Sequence, residues 1–341
     1  MSIPEDQIYD ITVIGGGPVG LFAGFYGGMR GQRTKVIEAL EELGGALTAI
    51  YPEKYIYDIA GFPKVLAKDY VEAAVEQAAG MGCEFVLKTA VTSLTRDEAS
   101  GCFILGTTTG THYSRTIIIS AGIGAFEPKR LEVPGIERFE GGGGVHYFAK
   151  HVDDFRDRHV LIVGGGDSAV DWANTLAPLA RSVRLVHRSK FRAHEHAIAQ
   201  MAEEGVHLHY PDYAVKAVHG NDRLESVTFH HLKEGSEQTV DADDLIVAIG
   251  FLADLGPLKT WGLEVERNTI RVDPITMATN IEGIYGCGDV VTYPAKFKLI
   301  ATGAAEAITA VNHCVTVINP SARLDPGHST NIMEKREKAA V

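Results

Sequence analysis

Two short glycine stretches carry the clearest chemical signal in this 341-residue chain, "GGGPVG" at 15–20 and "GGGDSA" at 164–169. In the first, Gly15, Gly17 and Gly20 have the spacing of a phosphate-cradling turn. Glycine at 15 permits the tight bend, at 17 it lets backbone approach a pyrophosphate, and at 20 it lets the helix pack on the strand. An apolar strand precedes the turn and a helical stretch follows, so N–H groups at the positive helix end would hold the phosphates. Glu38 closes the next strand, where its carboxylate can accept hydrogen bonds from both ribose hydroxyls. "GCGDV" at 286–290 adds Gly288 and Asp289, with Asp289 placed for a ribityl hydroxyl or a phosphate-bound water. Together these residues form the constellation of an FAD site.

At an offset of 149 residues, Gly164, Gly166 and Ala169 fall on Gly15, Gly17 and Gly20, with Asp167 and Ser168 at the start of the second helix. The same offset carries Glu38 onto His187, followed by Arg188, Ser189 and Arg192 in "HRSKFR". A carboxylate at that strand tip would repel a 2′-phosphate, whereas arginines pair with one through charge-assisted hydrogen bonds. The first site is therefore expected to take a nucleotide with a free ribose. The second is expected to take NADP(H), clamped by Arg188 and Arg192 with His187 and Ser189 in support.

Other chemistries are disfavoured. The four cysteines, Cys83, Cys102, Cys287 and Cys314, form no C-x-x-C pair, and "GGGGVHYFAK" at 141–150, just before the second turn, contains no thiol. They read as buried small hydrophobes in a reducing compartment. "HEH" at 194–196 and "HH" at 230–231 supply no third ligand, and i, i+2 spacing on a helix points the rings apart, so no metal is expected. A formal net charge of −12 disfavours nucleic acid and anionic membranes. No run of about 18 apolar residues spans a membrane. The N-terminal "MSIPEDQIYD" has acids where a signal peptide has bases, so a cytoplasmic protein is expected.

The elements that must position these residues follow from the apolar pattern. A strand over 10–14, a helix over 18–30 and a strand over 34–38 form one βαβ unit, and residues 158–188 repeat it. The fold class is thus α/β with two Rossmann-like dinucleotide-binding domains, the NADP domain inserted into the FAD domain. "TIIISAG" (116–122) and "DLIVAIG" (244–250) bracket the insertion. The expected FAD domain is 1–123 plus 247–341, with a C-terminal extension over 320–341, and the NADP domain is 124–246. Residues 298–317 read as a late helix whose dipole, beginning near Lys298, would face the flavin's pyrimidine end. The polar tail from His328 is expected to lack order unless something holds it.

In the order of the first glycine turn, the inserted second turn with "HRSKFRA" and the late "GCGD", the chain resembles thioredoxin reductase over nearly its whole length. Lacking the cysteine pair, and carrying "YPEKYIYDIAGFPK" (51–64), "HYF" (146–148), "GGGDSAVDWA" (164–173), "FRAHEH" (191–196) and "HST" (328–330), it more closely resembles the thioredoxin-reductase-like ferredoxin–NADP(+) reductase family. That resemblance implies a homodimer with one FAD per subunit, Tyr51 stacked on one flavin face and His328 covering the flavin of the partner. Ser329 and Thr330 then lie near the ring edge, and Gly45, Val91 and Phe126 contact the cofactor. Ala46 stands where the family carries glutamine, so one side-chain amide contact is absent. The implied activity is hydride exchange with NADP(H) and single-electron exchange with ferredoxin or flavodoxin. Tyr51 and His328 are then the nearest to catalytic residues, with no acid or base assigned. The same motifs would serve a reductase of a quinone or oxygen, or an NADPH-sensing flavoprotein.

Overall fold

The computed structural model describes all residues except 1, 2, 51, 125, 126, 150, 253, 340 and 341, and only the backbone of 127 and 335–339. The chain divides into two compact units, residues 1–126 with 253–341, and residues 127–252. Both breakpoints lie later than the positions expected from the sequence, 123 and 247. The reason is local. Glu127–Pro128 pairs antiparallel with Phe251–Leu252, and this small ribbon closes off the second unit at both its ends.

In the first unit the strands run in the order Glu84–Val86, Thr34–Ile37, Ile8–Ile14, Thr111–Ile119, Phe103–Thr107, Val91–Arg96, and Ile284–Gly286 also pairs with Thr111–Ile119. The first four are parallel to one another and the next two antiparallel. Ile11, Val13, Val36, Ile117, Ile118 and Ile119 are fully buried, the near-continuous apolar run of strands covered on both faces. The helix Pro18–Met29 packs against the helices Ala67–Gly80 and Ile300–Ile318.

The second unit carries a parallel sheet in the order Val145–His146, Asp244–Val247, His159–Val163, Ser182–Val186, His207–His209. Side chains alternate across it with period two. Val160, Ile162, Val183, Leu185 and Ile246 face a core shared with the helix Asp167–Leu176, whose Ala169, Val170 and Trp172 join it. Leu161, Val163, Val186, Leu245 and Val247 face the antiparallel ribbon Tyr213–Gly220, Leu224–His231, Glu237–Asp241.

The repeat seen in the sequence is also a repeat of register. Ile11 opposite Thr34 through Ile14 opposite Ile37 recurs 149 residues later as Val160 opposite Val183 through Val163 opposite Val186. Each glycine turn thus leaves its strand at the same point relative to the neighbouring strand tip.

The tail departs from expectation. Ser329–Ala339 is helical, with the N–H groups of Asn331 and Ile332 donating to the His328 carbonyl at 3.1 and 3.3 Å. Of its described side chains, Ile332 and Met333 are half-buried and the others exposed. Its Met, Glu, Lys, Arg and Ala residues are strong helix formers. Upstream, the Arg30 guanidinium donates to the carbonyls of Arg323 and Leu324 at 2.8 and 3.2 Å, which holds the path of the extension.

Asp244, at the start of its strand in the second unit, is buried and accepts hydrogen bonds from Arg158 Nε and, at 2.8 Å, His146 Nε2. Burial opposes its ionisation, but these two partners win and hold the carboxyl below its ordinary range. A depressed carboxylate adds stability above its unfolded pKa, about 3.9, and loses it as pH falls through the folded value. Asp244→Ala is predicted to cost about 3 kcal/mol by stranding its cationic partner, read as a lower thermal midpoint of the apoprotein at neutral pH. A midpoint equal to that of the unaltered protein would show the pair to be energetically idle.

Candidate functional site

The first glycine turn departs from the conformations other residues tolerate. Gly15 has φ +106°, and a Cβ there would lie 2.6 Å from the Ser120 carbonyl oxygen. A Cβ at Gly20 would lie 1.9 Å from the Gly15 carbonyl oxygen, so helix and turn are in backbone contact. Gly17 is different: nothing stands within 4 Å of its Cβ position. It is the N-cap of the helix Pro18–Met29, no side chain caps that helix end, and the first turn carries no acid. Its early N–H groups have no intrahelical partners, which makes this end suited to an anion.

Glu38, 7% exposed, is held by backbone donors, Gly16 N–H to Oε2 at 2.6 Å and Leu40 N–H to Oε1 at 2.8 Å. Each oxygen keeps a lone pair for a hydroxyl. Gly45, at φ +56°, brings its Cβ position to 3.1 Å from the Gly17 Cα, and the neighbouring Gly44 N–H donates to Gly16 O at 2.8 Å. A cavity of about 370 Å³ opens over this turn, lined by Gly15, Gly17, Glu38, Gly45, Val91 and Asp289. The residues Lys298, Leu299 and Ile300 at the start of the late helix close one side of it. Leu255, Leu258 and Trp261 form a further wall that carries no recognisable motif, and the buried indole N–H of Trp261 has no partner among the described residues.

These features fit FAD. There is a bare helix end for the pyrophosphate, a fixed carboxylate for the ribose, an apolar wall for the rings and an unpaired donor in that wall. His328, Ser329 and Thr330 are exposed and are not in this cavity. Tyr51 and Phe126 lie outside the described residues.

The second turn repeats the geometry with different chemistry. A Cβ at Gly164 would lie 2.3 Å from the Ala248 carbonyl oxygen, the space around Gly166 is open, and Gly166 caps the helix Asp167–Leu176 without a side-chain bond. Ala169 is buried against the turn, while Asp167 is exposed and Ser168 half-buried. His187 takes the place of Glu38, but its ring is 8% exposed and occupies the space a Cβ on Gly165 would need, 2.2 Å away. Its Nε2 lies 3.2 Å from the Lys190 carbonyl, which can only accept, so Nε2 carries the proton; Ser189 Oγ is 3.0 Å from the same atom. Burial, and then the charges of Arg192 and Arg188, depress the His187 pKa, so the ring is neutral at neutral pH. His187 and Ser189 therefore shape the loop and bring no charge to a phosphate. Arg188 and Arg192 are exposed and make no ion pair among the described residues, and the Arg192 N–H donates to the Gly165 carbonyl at 2.8 Å. The loop is thus tied to the turn while both guanidinium groups face solvent. This suits the 2′-phosphate of NADP(H).

All four cysteines are buried and unbridged. Burial pushes the Cys83 and Cys314 thiols up to about 12, and raises Cys287, next to Gly288, further still. Among the described residues, no three His, Cys, Asp or Glu side chains gather into a metal site.

Residues 9–316 match the pyridine nucleotide-disulphide oxidoreductase family. The chain is 48% identical over 334 residues to a ferredoxin–NADP reductase of Geobacillus kaustophilus, covering 97% of this chain and all of that one. It is 47% identical to ferredoxin–NADP reductase 2 of Bacillus subtilis, over 97% of this chain and 99% of the relative. Among solved structures, thioredoxin reductase of Lactococcus lactis matches with a TM-score of 0.76 at 26% identity, over 91% of this chain and 99% of that one. The chain belongs to the pyridine nucleotide-disulphide oxidoreductase family and, within it, to the ferredoxin–NADP reductases of thioredoxin-reductase-like fold.

Because all four sulfurs are buried, and burial also raises the thiols of Cys83, Cys287 and Cys314, the cysteines are predicted to resist alkylation. Iodoacetamide at about pH 8 should leave the native FAD-loaded protein unmodified over minutes by mass spectrometry, while the urea-unfolded chain takes up label at all four thiols. Rapid labelling of a native cysteine would reopen the case for a thiol relay.

Proposed function

We propose that this chain moves electrons between NADP(H) and ferredoxin, with flavodoxin as a second acceptor of the same kind, as a cytoplasmic homodimer holding one FAD per subunit. The observation that carries the reading is the repeated turn with opposite chemistry beyond the same strand tip: a buried carboxylate, Glu38, in one copy, and a neutral His187 followed by exposed Arg188 and Arg192 in the other. That is the difference between a nucleotide with a free ribose and one with a phosphorylated ribose.

Bound FAD supplies the exchange between a two-electron hydride and single electrons. The chain's own residues bind, orient and shield. The open N-terminus after Gly17 takes the pyrophosphate, Glu38 the ribose hydroxyls, and Asp289 the ribityl chain, while Leu255, Leu258 and Val91 exclude water. At the second turn, the helix end after Gly166 takes the NADP(H) pyrophosphate. Arg188 and Arg192 take the 2′-phosphate through charge-assisted bonds. No acid or base is needed for a hydride, and none is assigned. Tyr51 is the proposed stacking partner on one flavin face. His328, with Ser329 and Thr330, is proposed to cover the flavin of the partner subunit; the exposure of all three agrees with a role away from their own cavity.

NADPH oxidation coupled to ferredoxin is the test. Replacing both Arg188 and Arg192 with alanine should raise the KM for NADPH roughly 10- to 150-fold, the worth of about 1.5–3 kcal/mol for a charge-assisted contact, and leave that for NADH nearly unchanged. Equal use of NADH and NADPH by the unaltered protein would overturn the assignment of the second site.

Removal of residues 326–341 should change the flavin absorption spectrum and speed NADPH oxidation by oxygen with FAD still bound. His328→Ala should reproduce most of the spectral change, and truncation after Thr330 should not. An unchanged spectrum and oxidase rate in the full truncation would show that the tail does not reach a flavin.

A further inference from the structure

The Gly288–Asp289 turn is held by a buried ion pair that lies outside both glycine motifs. Glu306, in the second turn of the helix Ile300–Ile318, is 4% exposed. Its Oε2 accepts the Gly288 N–H at 2.8 Å, and its Oε1 accepts both the Tyr293 hydroxyl and Lys296 Nζ at 2.5 Å. The Lys296 side chain is itself only 5% exposed. The packing around this cluster has no slack. A Cβ on Gly303 would lie 2.3 Å from Val19 Cγ2, in the first turn of the Pro18–Met29 helix, and 3.3 Å from the Gly288 Cα. Glycine turn, late helix and the 288–289 turn therefore meet as one body.

We propose that the Lys296–Glu306 pair is a positioning unit for the cofactor, setting the Gly288–Asp289 turn and the start of the late helix against the cavity. The proposal rests on reading that cavity as the FAD site. Asp289 follows directly on the glycine whose N–H Glu306 binds, and Lys298, Leu299 and Ile300 follow closely on Lys296; all four line the cavity. A displacement of Glu306 is thus transmitted to two sides of the cavity wall. The pair is net neutral. Removing only its cation strands a buried carboxylate, which must then take up water or a proton by opening this region. Removing both charges strands nothing. Burial and the Glu306 carboxylate push the Tyr293 hydroxyl up to about 12, so it remains a neutral donor and leaves the Glu306 charge to Lys296.

Variants of the pair are read by the FAD dissociation constant of the apoprotein, the visible flavin spectrum and the thermal midpoint. Lys296→Met should raise the dissociation constant about tenfold or more, with a shifted flavin spectrum and retained far-ultraviolet circular dichroism. The double variant Lys296→Met with Glu306→Gln should recover most of the affinity, since glutamine still accepts the Gly288 N–H. Lys296→Arg should stay near the unaltered protein. If Lys296→Met does not fold, Glu306→Gln alone strands the cation instead, and its weaker FAD binding should be recovered by adding Lys296→Met. Variants that change the thermal midpoint but bind FAD with unchanged affinity and spectrum would overturn the proposal, as would a double variant no better than either single one. Glu38→Ala serves as the control for the site itself. If that variant binds FAD normally, the reading of the cavity fails, and not merely the role of the ion pair.

Discussion

Backbone contact between a helix and the turn that precedes it is the constraint on which the rest of the structure depends. With no Cβ at position 20, the Pro18–Met29 helix can sit against the Gly15 carbonyl, where a side-chain atom would be only 1.9 Å away. That approach places the uncapped helix end just beyond the C-terminal end of the interior strand Ile8–Ile14 and leaves its N–H groups free for an anion. Glu38 can then reach back from the adjacent strand tip to the Gly16 N–H, so the turn and the ribose-binding carboxylate hold each other in place. In the second copy Ala169 takes the place of Gly20, and a Cβ on Gly164 would stand only 2.8 Å from the Ala169 Cβ.

Duplication of one rigid unit turns cofactor choice into a problem of a few side chains. Strand register is preserved between the copies, so the residue after the second strand occupies the same place in both. Glu38 there is fixed by two backbone donors. His187 is folded under a glycine and neutral, and the charge is moved outward to Arg188 and Arg192. The second unit contains no cysteine at all, and the four thiols of the first are buried and unbridged. Electrons arriving as hydride therefore have no sulfur to pass through.

Much of this was legible in the sequence because a βαβ nucleotide turn needs glycine at set positions, and two copies at one offset cannot both be accidental. The late helix was readable from its apolar period, beginning at Ile300, two residues after the expected start. What escaped prediction involves contacts with no periodic signature. The ribbon of Glu127–Pro128 with Phe251–Leu252, which displaces both domain boundaries, is too short to show alternation. The helix Ser329–Ala339 has few apolar residues but many strong helix formers, so a search for apolar stripes misses it. The burial of His187 depends on the missing side chain of Gly165, a residue from another element. Lys296 and Glu306 are joined across a bend in which Ala295 takes φ +64°, and only a lone acid in a helix with no other Asp, Glu, Lys or Arg hints at a partner.

With the cysteines buried and unbridged, the flavin alone is expected to store the electrons. Anaerobic titration of the FAD-loaded protein with NADPH tests it most directly, because a redox disulfide would consume a second equivalent. About one NADPH per FAD should complete the bleaching of the flavin, with no increase in titratable thiol, and added ferredoxin should restore the yellow colour. A requirement for about two equivalents, with new thiols appearing as the flavin bleaches, would contradict the account.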